Sequence, residues 1–333
     1  MFKLFKKKSK DEVIDVAISG VEEETKGTSD GIVVLKKTKP DTCGGTDVTL
    51  DTNAPNEIVS EEMILFDVTS ALGRYQVSGS GMRNDYNEPL RYVSAFAVRA
   101  ENGCFVFIES EPESAYRGER IRSAAVLKND VFPALVGLVR ESGIARKNGY
   151  NSTTHGLPEN FGGSVTIKYA SGEKISISDN QSPVITPETG SKIAELLYKA
   201  LEGEKVELPD ADRLSKIMYS EERKDGGFTR AEMSICPDGR AVNRKSSKYG
   251  DGKIYESEKQ VTPETVAFIK KTITEKLIFA WSGLPHNGFL SENKRLTFVF
   301  DNGSELNVAN GRTVPDQLSG GFFDIELEMT TKN

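Results

Sequence analysis

The chain has 333 residues, a net charge of −7, and 37% hydrophobic and 28% charged residues, a composition that suits a soluble protein with room for two cores. The acidic balance argues against a general affinity for nucleic acid or anionic membranes. Three cysteines (Cys43, Cys104 and Cys236), odd in number and without paired spacing, exclude a disulfide framework and a cysteine zinc site, so the expected compartment is cytoplasmic.

Residues 1–10 carry five lysines around Phe2, Leu4 and Phe5. No apolar core of about 7–15 residues follows them, as a signal peptide requires, and no stretch approaches the roughly 20 apolar residues of a membrane span. The segment reads as a solvated tail, with weak membrane-surface contact as the alternative. Residues 11–61 are rich in Thr, Asp, Glu and Gly, and only 13–18 and 32–35 have strand character. They predict a mostly extended leader, free to pair with the edge of a domain.

Beyond the leader the elements come twice. The first series is a strand at 92–98, the turn Glu101-Asn102-Gly103, a strand at 104–108 and a helix at 130–142. The loop Gly156-Leu157-Pro158-Glu159-Asn160 follows, then strands at 165–169 and 175–177 around Gly172, and a helix at 187–201. The second series is a strand at 228–235, the turn Pro237-Asp238-Gly239, a helix at 263–278 and the loop Gly283-Leu284-Pro285-His286-Asn287. Strands at 296–300 and 306–308 flank Asp301-Asn302-Gly303. A shared order of landmarks is the signature of an internal duplication. Asn-Gly and Asp-Gly between alternating apolar runs predict type I′ hairpins, whose central residues need positive φ. Thr262-Pro263 and Thr186-Pro187 predict helix starts, with threonine as N-cap and proline at the first helical position. Strands and helices segregate, so the expected class is α+β: two tandem copies of an antiparallel sheet packed by helices, 62–205 and 210–333, after an irregular N-terminal leader over 1–61.

Chemistry is sparse. His155 and His286 flank the two Gly-Leu-Pro loops but are offset from one another, and neither has a sequence-adjacent nucleophile or acid. Glu109, Glu111 and Glu113 alternate, but Pro112 interrupts them, and a solvated loop is the expected reading. Ser78-Gly79-Ser80-Gly81 lacks the rest of a phosphate loop and reads as a connection. Neither a nucleophile elbow nor a calcium loop is present, so no catalytic residue, metal ligand or cofactor is expected. Two features suit binding. Arg240, Arg244, Lys245, Lys248 and Lys253 with Tyr249 interleave cations and a ring, as a single-strand nucleic-acid surface does, against the plainer reading of a solvated hairpin. Trp281, the only tryptophan, is a binding anchor if exposed and a core residue if not.

The run from the helix through Trp281-Ser282-Gly283 to residues 296–310 and a following proline resembles a pattern in uncharacterised bacterial proteins. Those proteins are predicted to be small α+β domains, often in tandem, with no assigned activity. The resemblance covers 260–330, and 130–205 more loosely, and implies no functional residues. The function expected is a non-enzymatic binding module, with another protein as the partner. The alternatives are an enzyme with a carboxylate and arginine site at the seam between the copies, or a nucleic-acid binder through 239–253. A perturbed Asp or Glu between the copies would favour the enzyme.

Overall fold

A computed structural model of the chain describes residues 25–29, 32–37, 45–69, 90–112, 121–155, 162–250, 252–288 and 293–331. The basic tail, the strand expected at 13–18, the glycines at 78–81, the first Gly-Leu-Pro loop, Cys43 and Glu113 lie outside the described residues.

The elements run β1 (Thr25–Ser29), β2 (Ile32–Lys37), β3 (Thr46–Asp51), β4 (Met63–Thr69), β5 (Leu90–Ala100), β6 (Gly103–Pro112), β7 (Ile121–Leu127) and α1 (Phe132–Ser142). Then come β8 (Tyr150–Thr154), β9 (Gly163–Tyr169), β10 (Lys174–Asp179) and α2 (Pro187–Leu201). The remainder is β11 (Leu214–Glu222), β12 (Phe228–Ile235), β13 (Ala241–Lys248), β14 (Ile254–Val261), α3 (Pro263–Glu275), β15 (Lys294–Phe300), β16 (Glu305–Ala309), α4 (Asp316–Ser319) and α5 (Gly321–Thr330). Among the described residues these strands form a ten-stranded sheet, β1-β2-β3-β8-β10-β9-β4-β5-β6-β7, and a six-stranded sheet, β14-β13-β12-β11-β15-β16. Pairing is antiparallel except between β10 and β8, and the class is α+β.

Within the larger sheet, the run β7-β6-β5-β4-β9-β10 has the same connectivity as β14-β13-β12-β11-β15-β16. In each, four strands pair in succession, a helix follows the fourth, and a hairpin returns beside the first. The leader takes the edge pairing that its extended character allowed, but as three regular strands rather than the irregular arm expected, since β1, β2 and β3 extend the first sheet by antiparallel pairing of β3 with β8, as at Leu50 with Tyr150. Short β8 offers a free edge, and the Thr- and Val-containing β3 meets it with a half-buried strand.

The hairpins correct the turn type expected of them. Gly172, Gly239 and Gly303 donate to the carbonyls of Tyr169, Cys236 and Phe300 at 3.0, 2.9 and 3.0 Å. Their φ values are 88°, 82° and 79°, while Leu277 is the one non-glycine with positive φ among the described residues. Each loop is therefore a type I turn followed by a left-handed glycine, so Asp238-Gly239 and Asn302-Gly303 are not the type I′ pairs expected of them, and neither is Asn102-Gly103, where only Gly103 has positive φ (141°). Asp238 and Asn302 keep ordinary backbone angles and accept from the amides of Arg240 (3.1 Å) and Ser304 (3.0 Å), as Asx turns do.

Thr262 caps α3 through the Thr265 amide and Thr186 caps α2 through the Thr189 amide. Helix α3 ends at Glu275, short of the expected 278. Leu277, at φ 52°, turns the chain into a 3-10 segment, Ile278–Gly283, which drops Phe279, Ala280 and Trp281 into the core.

Alternation along β4 to β7 splits the first sheet into two buried faces. Phe66, Val68, Ala95, Ala97, Val106 and Ile108 pack under α1 and α2. Leu65, Phe96, Val98, Phe105, Phe107 and Val126 point the other way and join one cluster with Trp281, Phe298, Phe322 and the inner face of the second sheet. Backbone bonds tie the same junction, from the Glu101 amide to the Gly283 carbonyl (2.9 Å) and from the Val206 amide to the Val126 carbonyl (2.7 Å). Phe105→Ala is expected to cost about 3–5 kcal/mol. Because the cluster is shared, denaturant unfolding followed by Trp281 fluorescence should shift with it. A Trp281 transition left in place would mean that the second half unfolds independently.

Candidate functional site

The residues expected to bind do not converge. Arg240 turns back on its own hairpin, its Nε donating to Asp238 (2.8 Å). Arg244, on the open face of β13, donates to Glu258 of β14 at 2.8 Å. Lys245 projects from the opposite face, and its Nζ donates to the Thr330 carbonyl. The Asn243 amide reaches the Met329 carbonyl (2.8 Å) and Lys259 the Thr331 carbonyl (3.2 Å). Together they satisfy the unpaired carbonyls at the negative end of α5. Lys245 is thus a helix cap. Lys248 lies at the end of β13, where its carbonyl accepts from Arg223 (3.1 Å), and Lys253 is exposed in the turn that follows. Trp281 is 3% exposed and donates from Nε1 to the Lys276 carbonyl (3.1 Å). It is a core residue and offers a partner no face.

The open face of the second sheet is a broad concavity of about 710 Å³, lined by Arg230, Glu232, Arg244, Glu256, Glu258 and Thr297 among others. Lys216 meets Glu232 (3.0 Å), Arg230 meets Glu222 (2.9 Å) and Arg244 meets Glu258 (2.8 Å). The positive field expected from 239–253 is therefore cancelled by register. β14 lays Glu258 directly opposite Arg244, which the basic segment read alone did not reveal.

Tyr249 remains available, and the structure surrounds it with residues the sequence reading passed over. It is 48% exposed, and Tyr255, 47% exposed, meets it edge-on at 6.0 Å. The Arg223 guanidinium lies 4.9 Å from the Tyr249 ring centre, fixed by Thr229 Oγ1 (2.6 Å) and Glu221 (3.3 Å). Ile254, 59% exposed, adjoins Tyr255 on β14. The contacts continue inward, as Lys294 stands 4.0 Å from Glu221 and 2.7 Å from Glu326 of α5 and lies over the Phe323 ring at 5.7 Å. Tyr219 also donates to Glu326 (2.9 Å). Burial first, then that carboxylate, hold the Tyr219 hydroxyl well above the usual phenol range, so it stays a neutral donor. The second carboxylate oxygen of Glu326 is buried with no partner among the described residues. The alternation Tyr219-x-Glu221-x-Arg223 was the available signal, since it sets all three on one face.

The seam between the sheets carries the perturbed carboxyl. Asp67 of β4 sits opposite Phe96 on the face turned toward the second half. Burial, and then the charge of Asp316 in α4, push it up from 3.8 to about 6. Beside them Gln317 donates to Ser94 Oγ (3.2 Å). Glu109 corrects the expectation of a solvated loop. β6 runs on to Pro112 at its end, and Glu109 is fully buried, accepting from Arg122 Nε at 2.9 Å. β5 separates β4 from β6, so Asp67 and Glu109 stand about 10 Å apart by strand spacing, too far to share a proton. The histidines do not join either site. His155 is exposed and pairs with Asp47 (2.9 Å), and His286 accepts from the Gly288 amide (3.0 Å). Among the described residues no group of three or more His, Cys, Asp or Glu is placed to hold a metal ion, and no helix is long and apolar enough to cross a membrane.

No protein-family model matches the sequence, and no curated protein matches it.

Two outcomes test these roles. The folded-state value of Asp67 lies above the unfolded one, so its contribution to stability is complete below pH 3.8 and is lost as pH rises through about 6. Asp67→Asn should remove that fall, raising stability at pH 7 by up to ~3 kcal/mol, as read from urea unfolding at a series of pH values. Lys245→Ala should lower stability by about 1 kcal/mol, measured in the same way, through loss of the α5 cap.

Proposed function

We propose that the chain is a non-enzymatic protein-interaction module, and that the corner formed by Arg223, Tyr249, Ile254 and Tyr255 is its recognition surface. The observation that carries this reading is the exposed Tyr249–Tyr255 pair with Arg223 stacked beside it. Tyrosine and arginine are the residue types that dominate binding energy at protein interfaces. Here the arginine is already immobilised by three neighbours, so little ordering cost remains on binding. A nucleic-acid partner is disfavoured, because three of the five cations of 239–253, Arg240, Arg244 and Lys245, are engaged by Asp238, Glu258 and the end of α5. Two halves with one strand order support descent from a duplicated four-strand, helix, hairpin, helix unit. Unpaired Cys104 and Cys236 support the cytoplasm as the setting.

A second reading rests on Asp67, whose raised carboxyl at the seam has the character of a general acid or base. Asp316 acts on it electrostatically and Thr166 stands opposite it in register; neither makes a nucleophile and base pair with it, and this weighs against catalysis.

A native-lysate pull-down on the tagged chain separates the two readings. Proteins retained by the parent and by Asp67→Asn should be lost about tenfold or more from a Tyr249→Ala/Tyr255→Ala variant whose fold is verified by circular dichroism. Equal retention by the tyrosine variant would sink the corner as the recognition surface. Loss confined to Asp67→Asn would move the site to the seam.

A further inference from the structure

Strands β7 and β14 occupy equivalent places, each the fourth strand of its run, the sheet edge and the strand before a helix. They are treated differently. The free side of β7 is covered by the segment joining the halves: the Val206 amide donates to the Val126 carbonyl (2.7 Å), the Lys128 amide to the Glu204 carbonyl (3.0 Å), and Lys205 bridges Leu127 in antiparallel sense. β14 pairs with β13 along eight residues, and among the described residues no strand lies on its other side. All of its side chains but Lys259 and Val261 are exposed. An open edge of that length is a template for another strand.

Its charge selects the occupant. Ile254, Glu256, Glu258 and Gln260 share one face, while Tyr255, Ser257, Lys259 and Val261 share the other, where Tyr255 meets Tyr249. A second copy is disfavoured in the central registers. Two β14 strands related by a two-fold axis would place Glu256 or Glu258 opposite a glutamate in each register centred on residues 256, 257 or 258, and like charges directly opposite are destabilising. Glu258 is already engaged by Arg244 at 2.8 Å, which leaves Glu256 as the acid of this face without an ion pair among the described residues. A strand with a cation opposite Glu256 and apolar side chains toward Tyr255 is favoured.

We propose that β14 is a strand-addition site for an extended segment of a partner protein that carries lysine or arginine opposite Glu256 on one face and apolar residues on the other. The proposal rests on the protein-interaction reading above and specifies its binding mode.

The test uses the full chain and a fluorescein-labelled peptide of alternating lysine and valine, read by fluorescence anisotropy at low salt. Three further probes are its glutamate-for-lysine counterpart, a copy N-methylated on every backbone nitrogen, and the Glu256→Lys chain. The lysine peptide should bind, the glutamate and N-methylated peptides should not, and Glu256→Lys should weaken the lysine peptide by about fivefold or more, the size of one cross-strand charge pair reversed. Equal binding of the N-methylated peptide would reduce the effect to charge alone and overturn strand addition. So would no binding of the lysine peptide, or an unchanged affinity in Glu256→Lys. A dimer in analytical ultracentrifugation that Glu256→Lys alters would assign the edge to a second copy, which also overturns the proposal. If the peptide fails while the tyrosine variant still loses its captured proteins, only the edge mode falls. If both fail, the interaction reading falls with it.

Discussion

The back face of the first sheet constrains everything placed after it. Leu65, Phe96, Val98, Phe105, Phe107 and Val126 alternate out of the core that α1 and α2 cover. Without a second layer they would form an apolar patch large enough to drive aggregation. The second half supplies that layer, with the 3-10 turn that carries Trp281, the Val206–Leu208 segment and the Leu318 end of α4. Burying an aromatic-rich face is worth several kcal/mol, enough to dictate where the second sheet sits. The result is a stack of helices, sheet, helices and sheet. The last face differs in character: the exposed side of the second sheet carries Lys216, Arg230, Glu232, Arg244 and Glu258, a polar surface suited to water.

Most charged side chains serve this architecture locally. Arg240 holds a hairpin, Lys245 and Lys259 close a helix end, Arg122 neutralises a buried glutamate, and Lys294 with Glu326 fastens α5 to the sheet. Charges used in this way create little long-range field, because each is offset within a few ångströms. What stands apart is the end of β13 and β14 past the last residue of α5. There the sheet is wider than the helix that covers it, and Tyr249, Tyr255 and Ile254 stay in water. Half-exposed rings beside an immobilised arginine give this corner a surface that other charged faces of the sheet lack.

The elements whose cause is local were legible in the sequence. Thr186 and Thr262 cap the helices that follow them, glycine sits at each hairpin tip, and alternation at 165–169, 228–235 and 296–300 gives strands. These depend on side chain-to-backbone bonds and φ preferences within a few residues. The misjudged details lay where two solutions were locally close. A type I turn with a left-handed glycine satisfies the same Asp-Gly or Asn-Gly pair as a type I′ turn, and a single left-handed leucine ends α3 three residues before its apolar pattern does.

The candidate site was legible in one residue only. Tyr249 stood out because a ring among cations is visible in a list of letters. Arg223, Tyr255 and Lys294 did not, since they come from the residue after β11, from β14 and from β15 and meet through register. Glu109 and Asp67 likewise gave no sign that they would be buried, because their strands acquire a second covered face from residues more than a hundred positions away. The sequence by itself determined the helix starts, the hairpin glycines and the strongly alternating strands, since those are decided by short-range backbone sterics and capping. Polar strands such as β13 and β14, read as a solvated hairpin, became strands only through pairing. Only the tertiary structure decided which charges are spent, that the one tryptophan is hidden and which edge stays open, because burial and pairing are properties of surfaces that exist only once distant strands have been brought together.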